Sequence, residues 1–375
     1  MKKIIIIGGG ILGASTAYHL AKAGMEVIIV DEKHDGQATD AAAGIVCPWL
    51  SQRRNKAWYA LAKGGARYYP SLISELEKDG EVNTGYAKVG AISLHKDKEK
   101  LLAMEKRALK RKEDAPEMGD ITLLTSEQTK ELFPPLAEGF KALLVSGAAR
   151  VDGRALRTSL LSASQKYGAE LLAGNADLLI EGKKVIGVSV NGKEITASCI
   201  IITAGAWAKQ LLEPLGVDFK VTSQKAQIIH LQMPGEETNK WPVVIPPTDQ
   251  YILTFEDHRI VIGATHENDV GFDYRITAGG CHEVLSKALD IAPGLKESTV
   301  LETRVGFRPF TPEFLPVFGP LPNIDGVIIA NGLGASGLTM GPYIGSEIAK
   351  LVLGEEMEID ISNYDVSVAI GNIHS

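Results

Sequence analysis

The stretch Lys3–Gly24, KIIIIGGGILGASTAYHLAKAG, decides the fold. Its four consecutive isoleucines form the β-branched apolar run expected of a strand buried on both faces of a parallel sheet. Gly8 and Gly10 then permit a tight turn and a close approach of backbone to an anionic ligand, and Gly13 lets the next helix pack against the strand. Ile11, Leu12, Ala14, Ser15, Ala17, Tyr18, Leu20 and Ala21 place small and apolar side chains along one face of that helix. Its first turn offers unpaired N–H groups and a positive dipole end to a phosphate. A second apolar run, Val27–Val30, ends at Asp31, an acid placed to accept a hydrogen bond from a ribose hydroxyl. GxGxxG alone is a weak signal. Between a strand and a helix, inside a βαβ unit, it predicts a dinucleotide site. The acid disfavours the 2′-phosphate of NADP and leaves NAD and FAD open.

Later stretches bear on that choice. ATDAAAGIV (Ala38–Val46) strings small residues that let backbone run beside a ligand, and SCIIITAGAWA (Ser198–Ala208) reads as another buried strand ending at Thr203, Ala204 and Gly205. GVIIANGLGASGLTMGPYIG (Gly326–Gly345) reads again as strand, glycine-rich turn and helix. Glycine-rich strand–helix junctions near both ends suit a large bent cofactor held at its ADP end and again at its redox ring.

The 375 residues exceed the ~250–300 that one core supports, so two domains are expected. The reading is an α/β fold: a discontinuous Rossmann-like cofactor-binding domain (1–85, 149–218 and 311–375) and an antiparallel-sheet substrate domain (86–148 and 219–310). LLIEGKKVIGVSVNGKEITAS reads as a small antiparallel meander turning at Asn191-Gly192. Lys96–Met118 reads as a helix and an exposed loop, with the basic run KRALKRK from Lys106 on a solvated face.

A net charge of −7 argues against nucleic acid as a partner. Cys47, Cys199 and Cys281 are far apart and odd in number, which suits free thiols in a reducing compartment. No CxxC pair, HExxH or close His/Cys cluster supports a metal. The short apolar run at the start lacks the form of a signal peptide, and no stretch approaches the ~20 apolar residues of a membrane span. The expectation is a cytoplasmic protein, with peripheral attachment to the inner face of the membrane left open.

The motifs together resemble the D-amino-acid oxidase (DAO) family of FAD-dependent amine oxidoreductases, in its glycine oxidase and D-amino-acid dehydrogenase branches. The resemblance rests on Gly8–Gly13, Asp31, AAAG at Ala41–Gly44, TAGAW at Thr203–Trp207, GFRPFTPEFLPVFG at Gly306–Gly319 and NGLGASGLTMGPYIG at Asn331–Gly345. It implies FAD pyrophosphate and ribose on Ile11, Leu12, Asp31 and Glu32, with Ala38, Thr39, Ala43, Gly44 and Ile45 approaching pyrophosphate and flavin through main-chain groups. It also implies adenine contact near Asp177, and the flavin ring under Leu333, Gly334, Ala335, Ser336, Gly337, Leu338 and Thr339. Gly205 belongs to the same cofactor set. Some members carry flavin on a cysteine of the C-terminal third. Cys281 lies outside the matching stretch, so non-covalent FAD is expected.

For catalysis the resemblance assigns Arg308 as the fork that holds a substrate carboxylate and Tyr251 as a second donor to it. His230 and His266 are read as lying on substrate-domain strands and are set aside as packed or exposed residues. The implied reaction is oxidative deamination of a small amino or imino acid (a D-amino acid, glycine, sarcosine or a proline-like acid) by hydride transfer to flavin N5. Oxygen or a quinone or electron-transfer chain would take the electrons. Where glycine oxidase places a second arginine, this sequence has Ala335. That departure favours the dehydrogenase branch, bulkier substrates than glycine, and a dye over oxygen as acceptor. The competing readings are an NAD-dependent dehydrogenase and a non-catalytic dinucleotide-binding protein.

Overall fold

The computed structural model describes residues 2–235 and 237–371; residues 1, 236 and 372–375, which the expected domain limits include, lie outside the described residues. Lys3–Ile7 is an inner strand of a six-stranded sheet, between Glu26–Asp31 and Cys199–Ile202. Glu170–Ala173 extends the sheet beyond Glu26–Asp31, and Val327–Asn331 then Val317–Pro320 extend it on the other side. Every pairing is parallel except that of Val317–Pro320 with Val327–Asn331. Ile5 stands opposite both Ile200 and Ile28, so β-branched side chains from three strands share each layer. Burial on both faces is why these strands read as unbroken apolar runs.

The helix Ile11–Lys22 packs against the helices Gly153–Lys166 and Gly337–Leu353. Pro342 lies inside the last of these and cannot donate to the carbonyl one turn back, that of Leu338. The hydroxyl of buried Tyr69, on the helix Lys56–Lys78, donates to Leu338 O instead. Ser15 Oγ donates to Pro342 O at 2.7 Å, so the helix keeps its polar groups satisfied at the proline.

The second sheet has eight strands, in the order Thr299–Phe310, Thr222–Gln232, Arg259–Gly263, Tyr251–Thr254, Val243–Ile245, Ala91–His95, Lys141–Val145, Ile121–Leu124. It is the expected antiparallel sheet, with one parallel pairing where Val243–Ile245 runs beside Ala91–His95. That parallel pair joins two distant stretches of chain into one sheet. Ala176–Glu181, Lys184–Val190 and Lys193–Thr196 form the expected meander. Asn191 and Gly192 take φ of 52° and 78°, as a type I′ turn requires.

The reading of Lys96–Met118 needs correction. A helix spans Lys98–Lys112, but the segment after it is not an exposed loop, since Ala115 and Met118 are fully buried. Arg111 of the basic run also turns inward. It donates to Ser51 O at 2.6 Å and to Trp49 O, and stacks on Tyr59.

Candidate active site

A cavity of about 820 Å³ opens where the carboxyl ends of the parallel strands face the eight-stranded sheet. Open α/β sheets bind ligands at that end because the loops diverge there and helix N-termini point inward. Gly8, Asp31, Thr203 and Asn331 line it from the parallel sheet; Tyr251, Phe307 and Arg308 line it from the other.

The glycines of the opening turn divide by role. Gly8 has φ +102°, and a Cβ there would lie 2.6 Å from Thr203 O. At Gly13 an added Cβ would lie 1.9 Å from Gly8 O, so this position serves helix–strand packing and does not line the cavity. Gly10 does line it, and a Cβ there would meet nothing closer than Thr39 Oγ1 at 3.4 Å. Ile11 N donates to that same Oγ1 at 3.0 Å, which ties the turn to the loop carrying Ala38 and Thr39. Thr339 Oγ1 donates to Ile45 O at 2.9 Å and ties the last helix to the same region.

Helix ends give the cavity its polarity. The helices Ile11–Lys22 and Gly337–Leu353 begin at its wall, and neither has a side-chain cap, although Ser336 stands at the second N-cap. Asn55, Asp97, Thr125, Asp152 and Thr277 cap five other helices. Apart from the Ile11 N–H, which Thr39 Oγ1 takes, the first turns of these two helices leave donors available to an anionic or carbonyl oxygen in the cavity.

Ile11, Leu12, Asp31, Glu32, Ala38, Thr39, Ala43, Gly44, Ile45, Asp177 and Gly205 line the cavity, as do Leu333, Gly334, Ala335, Gly337, Leu338 and Thr339. Ser336 does not. None of the three cysteines is a lining residue. Among the described residues no group of His, Cys, Asp and Glu is arranged to hold a metal ion, and no helix is long and apolar enough to cross a membrane.

Sequence reasoning missed Arg157. Its Nη2 donates to Asp31 Oδ2 at 2.5 Å, its Nε to Gly9 O at 2.5 Å, and its Nη1 lies 3.5 Å from Asp40. Gln37 Nε2 donates to the other Asp31 oxygen at 3.0 Å. One arginine on the helix Gly153–Lys166 therefore joins the glycine turn, the acid after the second strand and the loop at Asp40. An arginine in an ordinary amphipathic helix carries no sequence signal of this. The contact spans 126 positions.

Arg308 and Tyr251 are neighbours on the opposite wall. Arg308 Nη1 donates to Gln224 Oε1 at 2.8 Å and to Thr265 O at 3.4 Å, and among the described residues no carboxylate pairs with it. Burial pulls the Arg308 guanidinium below its ordinary pKa, against the nearby Tyr251 hydroxyl. Burial pushes Tyr251 up to about 12, with Arg308 opposing, so both keep their protons at neutral pH.

The structure separates the two histidines: His230 lies on the strand Thr222–Gln232, but His266 follows the strand Arg259–Gly263 and is not on a strand, which corrects its expected placement. His230 is buried away from the cavity between Arg259 (3.3 Å) and Glu302 (3.9 Å), and burial pushes it down to about 3. His266 lines the cavity with Asp249, and its Nδ1 lies 3.8 Å from Asp249 Oδ2.

Residues 3–351 match the family model described as DAO, FAD dependent oxidoreductase. The oxidoreductase YurR of Bacillus subtilis is 63% identical over 371 residues, covering 99% of this chain and 100% of that protein. A glycine oxidase of Pseudomonas aeruginosa is 30% identical over 372 residues, covering 97% and 98%. Among solved structures, iminodiacetate oxidase from Chelativorans sp. BNC1 superposes with a TM-score of 0.94 at 47% identity, covering 96% of this chain and 98% of that one.

Proposed function

The chain belongs to the DAO family of FAD-dependent oxidoreductases, and from that premise we propose that it oxidises the C–N bond of a small amino or imino acid anchored by its carboxylate to Arg308. Membership decides between NAD and FAD, which the glycine turn left open. The cavity suits FAD. An uncapped helix end and the Cβ-free Gly10 face the place for a pyrophosphate, with Asp31 and Glu32 at the ribose and Asp177 at the adenine. The region from Ala43 to Ile45 and the second uncapped helix would hold the flavin ring. The cofactor is held non-covalently, a reading supported by the absence of cysteine from the lining residues. The described residues of 1–85, 149–218 and 311–375 form the FAD domain, with those of 86–148 and 219–310 as the substrate domain.

FAD supplies the two-electron acceptor for the substrate's α-hydrogen. The chain's own side chains bind and orient. A guanidinium facing the cavity with no carboxylate partner among the described residues is the observation that carries the reading, because its fork matches a carboxylate with two parallel hydrogen bonds. Tyr251 adds a donor beside it. Ala335 lines the cavity and is exposed, which leaves room for a substituent on the substrate nitrogen or α-carbon. The likeness to an iminodiacetate oxidase supports secondary amines with a carboxymethyl group, and relatives named oxidases support oxygen as acceptor.

The test is Arg308→Ala. Losing one partner of a desolvated charge pair costs about 2–5 kcal/mol, so kcat/KM should fall about 30- to 5,000-fold. Arg308→Lys should restore only part, since an ammonium lacks the planar fork. A substrate amide should be poor with the wild type and no worse with Arg308→Ala. Undiminished turnover of the free acid by Arg308→Ala would place the anchor elsewhere.

A further inference from the structure

We propose that His266, backed by Asp249, accepts the proton of the substrate's ammonium group and so readies the amine for oxidation; this rests on the amino- or imino-acid reading above. An amino acid at neutral pH carries its nitrogen as an ammonium, which has no lone pair to form a C=N bond. A proton must leave before the α-C–H bond can give up its electron pair. Of the groups on the Arg308 wall, Arg308 is a cation and Tyr251 a neutral phenol, so neither accepts a proton near pH 7. Asp249 is held by Lys287, whose Nζ lies 3.1 Å from both carboxylate oxygens.

Among the described residues on this wall, His266 is the remaining acceptor. Its side chain is 41% exposed and its Nδ1 is turned to Asp249, which leaves the Nε2 edge of the ring to receive a proton. Burial and Arg308 hold it below its ordinary pKa, joined by Lys287 and opposed by Asp249 and Glu283. The ring is therefore neutral at pH 7 with its lone pair free. A substrate carboxylate docking on Arg308 cancels the guanidinium field and raises the basicity of His266 as the ammonium arrives. Asp249 then stabilises the imidazolium. In the step itself an ammonium N–H bond breaks, its electron pair stays on nitrogen, and the proton bonds to the imidazole. That pair becomes the C=N bond as the α-hydrogen leaves with its two electrons to the family's oxidant, FAD. The proton passes from the exposed ring to water.

His266→Gln in the FAD-loaded enzyme tests this. In the variant only substrate already deprotonated in solution can react. Its kcat/KM should fall roughly 10²-fold or more at pH 7 and recover about tenfold per pH unit toward the substrate's amine pKa, while the wild type changes little. A readout independent of turnover uses 2-aminoisobutyrate, an amino acid with no α-hydrogen. The ¹⁵N signal of His266, assigned by its loss in His266→Gln, should show an imidazolium at pH 7 with this analogue bound and a neutral ring without it. A variant profile parallel to that of the wild type, or a ring that stays neutral with the analogue bound, would overturn the proposal. If no amino or imino acid reduces the wild-type flavin, the underlying functional reading fails as well.

Discussion

Arg157→Met removes the guanidinium while keeping much of the apolar stem, and isolates what the Arg157–Asp31 pair contributes. Asp31 is 6% exposed, and its two oxygens are held by Arg157 and Gln37. Breaking a buried pair by deleting one partner costs about 3–5 kcal/mol, because the other charge is left uncompensated. Gln37 still donates to one oxygen, so the lower end, about 3 kcal/mol, is expected. Thermal unfolding should move down by roughly 4 °C. FAD affinity should fall too, by about tenfold for each 1.4 kcal/mol of strain placed on the glycine turn and Asp31. The assay is a double-mutant cycle with Asp31→Asn, read by calorimetric Tm and by FAD titration of the apoprotein. The double variant should be less destabilised than Arg157→Met alone, since no charge is then stranded. Purely additive effects, or an unchanged Tm for Arg157→Met, would refute the reasoning.

Gly10→Val should leave the fold intact but abolish FAD retention, since its Cβ meets no atom within 3.4 Å while its methyls enter the cavity; tight FAD binding by the folded variant would contradict this. Tyr251→Phe should cost about 1 kcal/mol in kcat/KM, the worth of one hydrogen bond, measured beside Arg308→Ala. Ala335→Arg should narrow the cavity and shift preference toward glycine; relative rates with glycine, sarcosine and iminodiacetate check it.

The chain's fold is legible where one physical requirement dominates local sequence. The strands Lys3–Ile7, Cys199–Ile202 and Val327–Asn331 are buried on both faces, so each reads as an apolar run, and the glycines after them mark the turns. The parallel pairing of Val243–Ile245 with Ala91–His95 is not legible, because an apolar strand does not encode its partner's direction. In the cavity, motif residues are legible because backbone approach forbids a Cβ. Arg157 and His266 are not: their significance arises from contacts across the fold, and nothing next to them in the chain distinguishes them from Arg154 or His230. Arg154 faces Glu302 at 3.9 Å, one turn of helix from the arginine that reaches Asp31.

The most direct measurement is anaerobic titration of the purified protein with glycine, sarcosine, iminodiacetate, D-alanine and D-proline while the flavin absorbance is followed. The protein should be yellow and release all its colour on acid precipitation. At least one of these acids should bleach the flavin stoichiometrically in the wild type and fail to do so at the same concentration in Arg308→Ala. A colourless protein that binds no FAD, or a flavin that none of these acids reduces, would contradict the assignment.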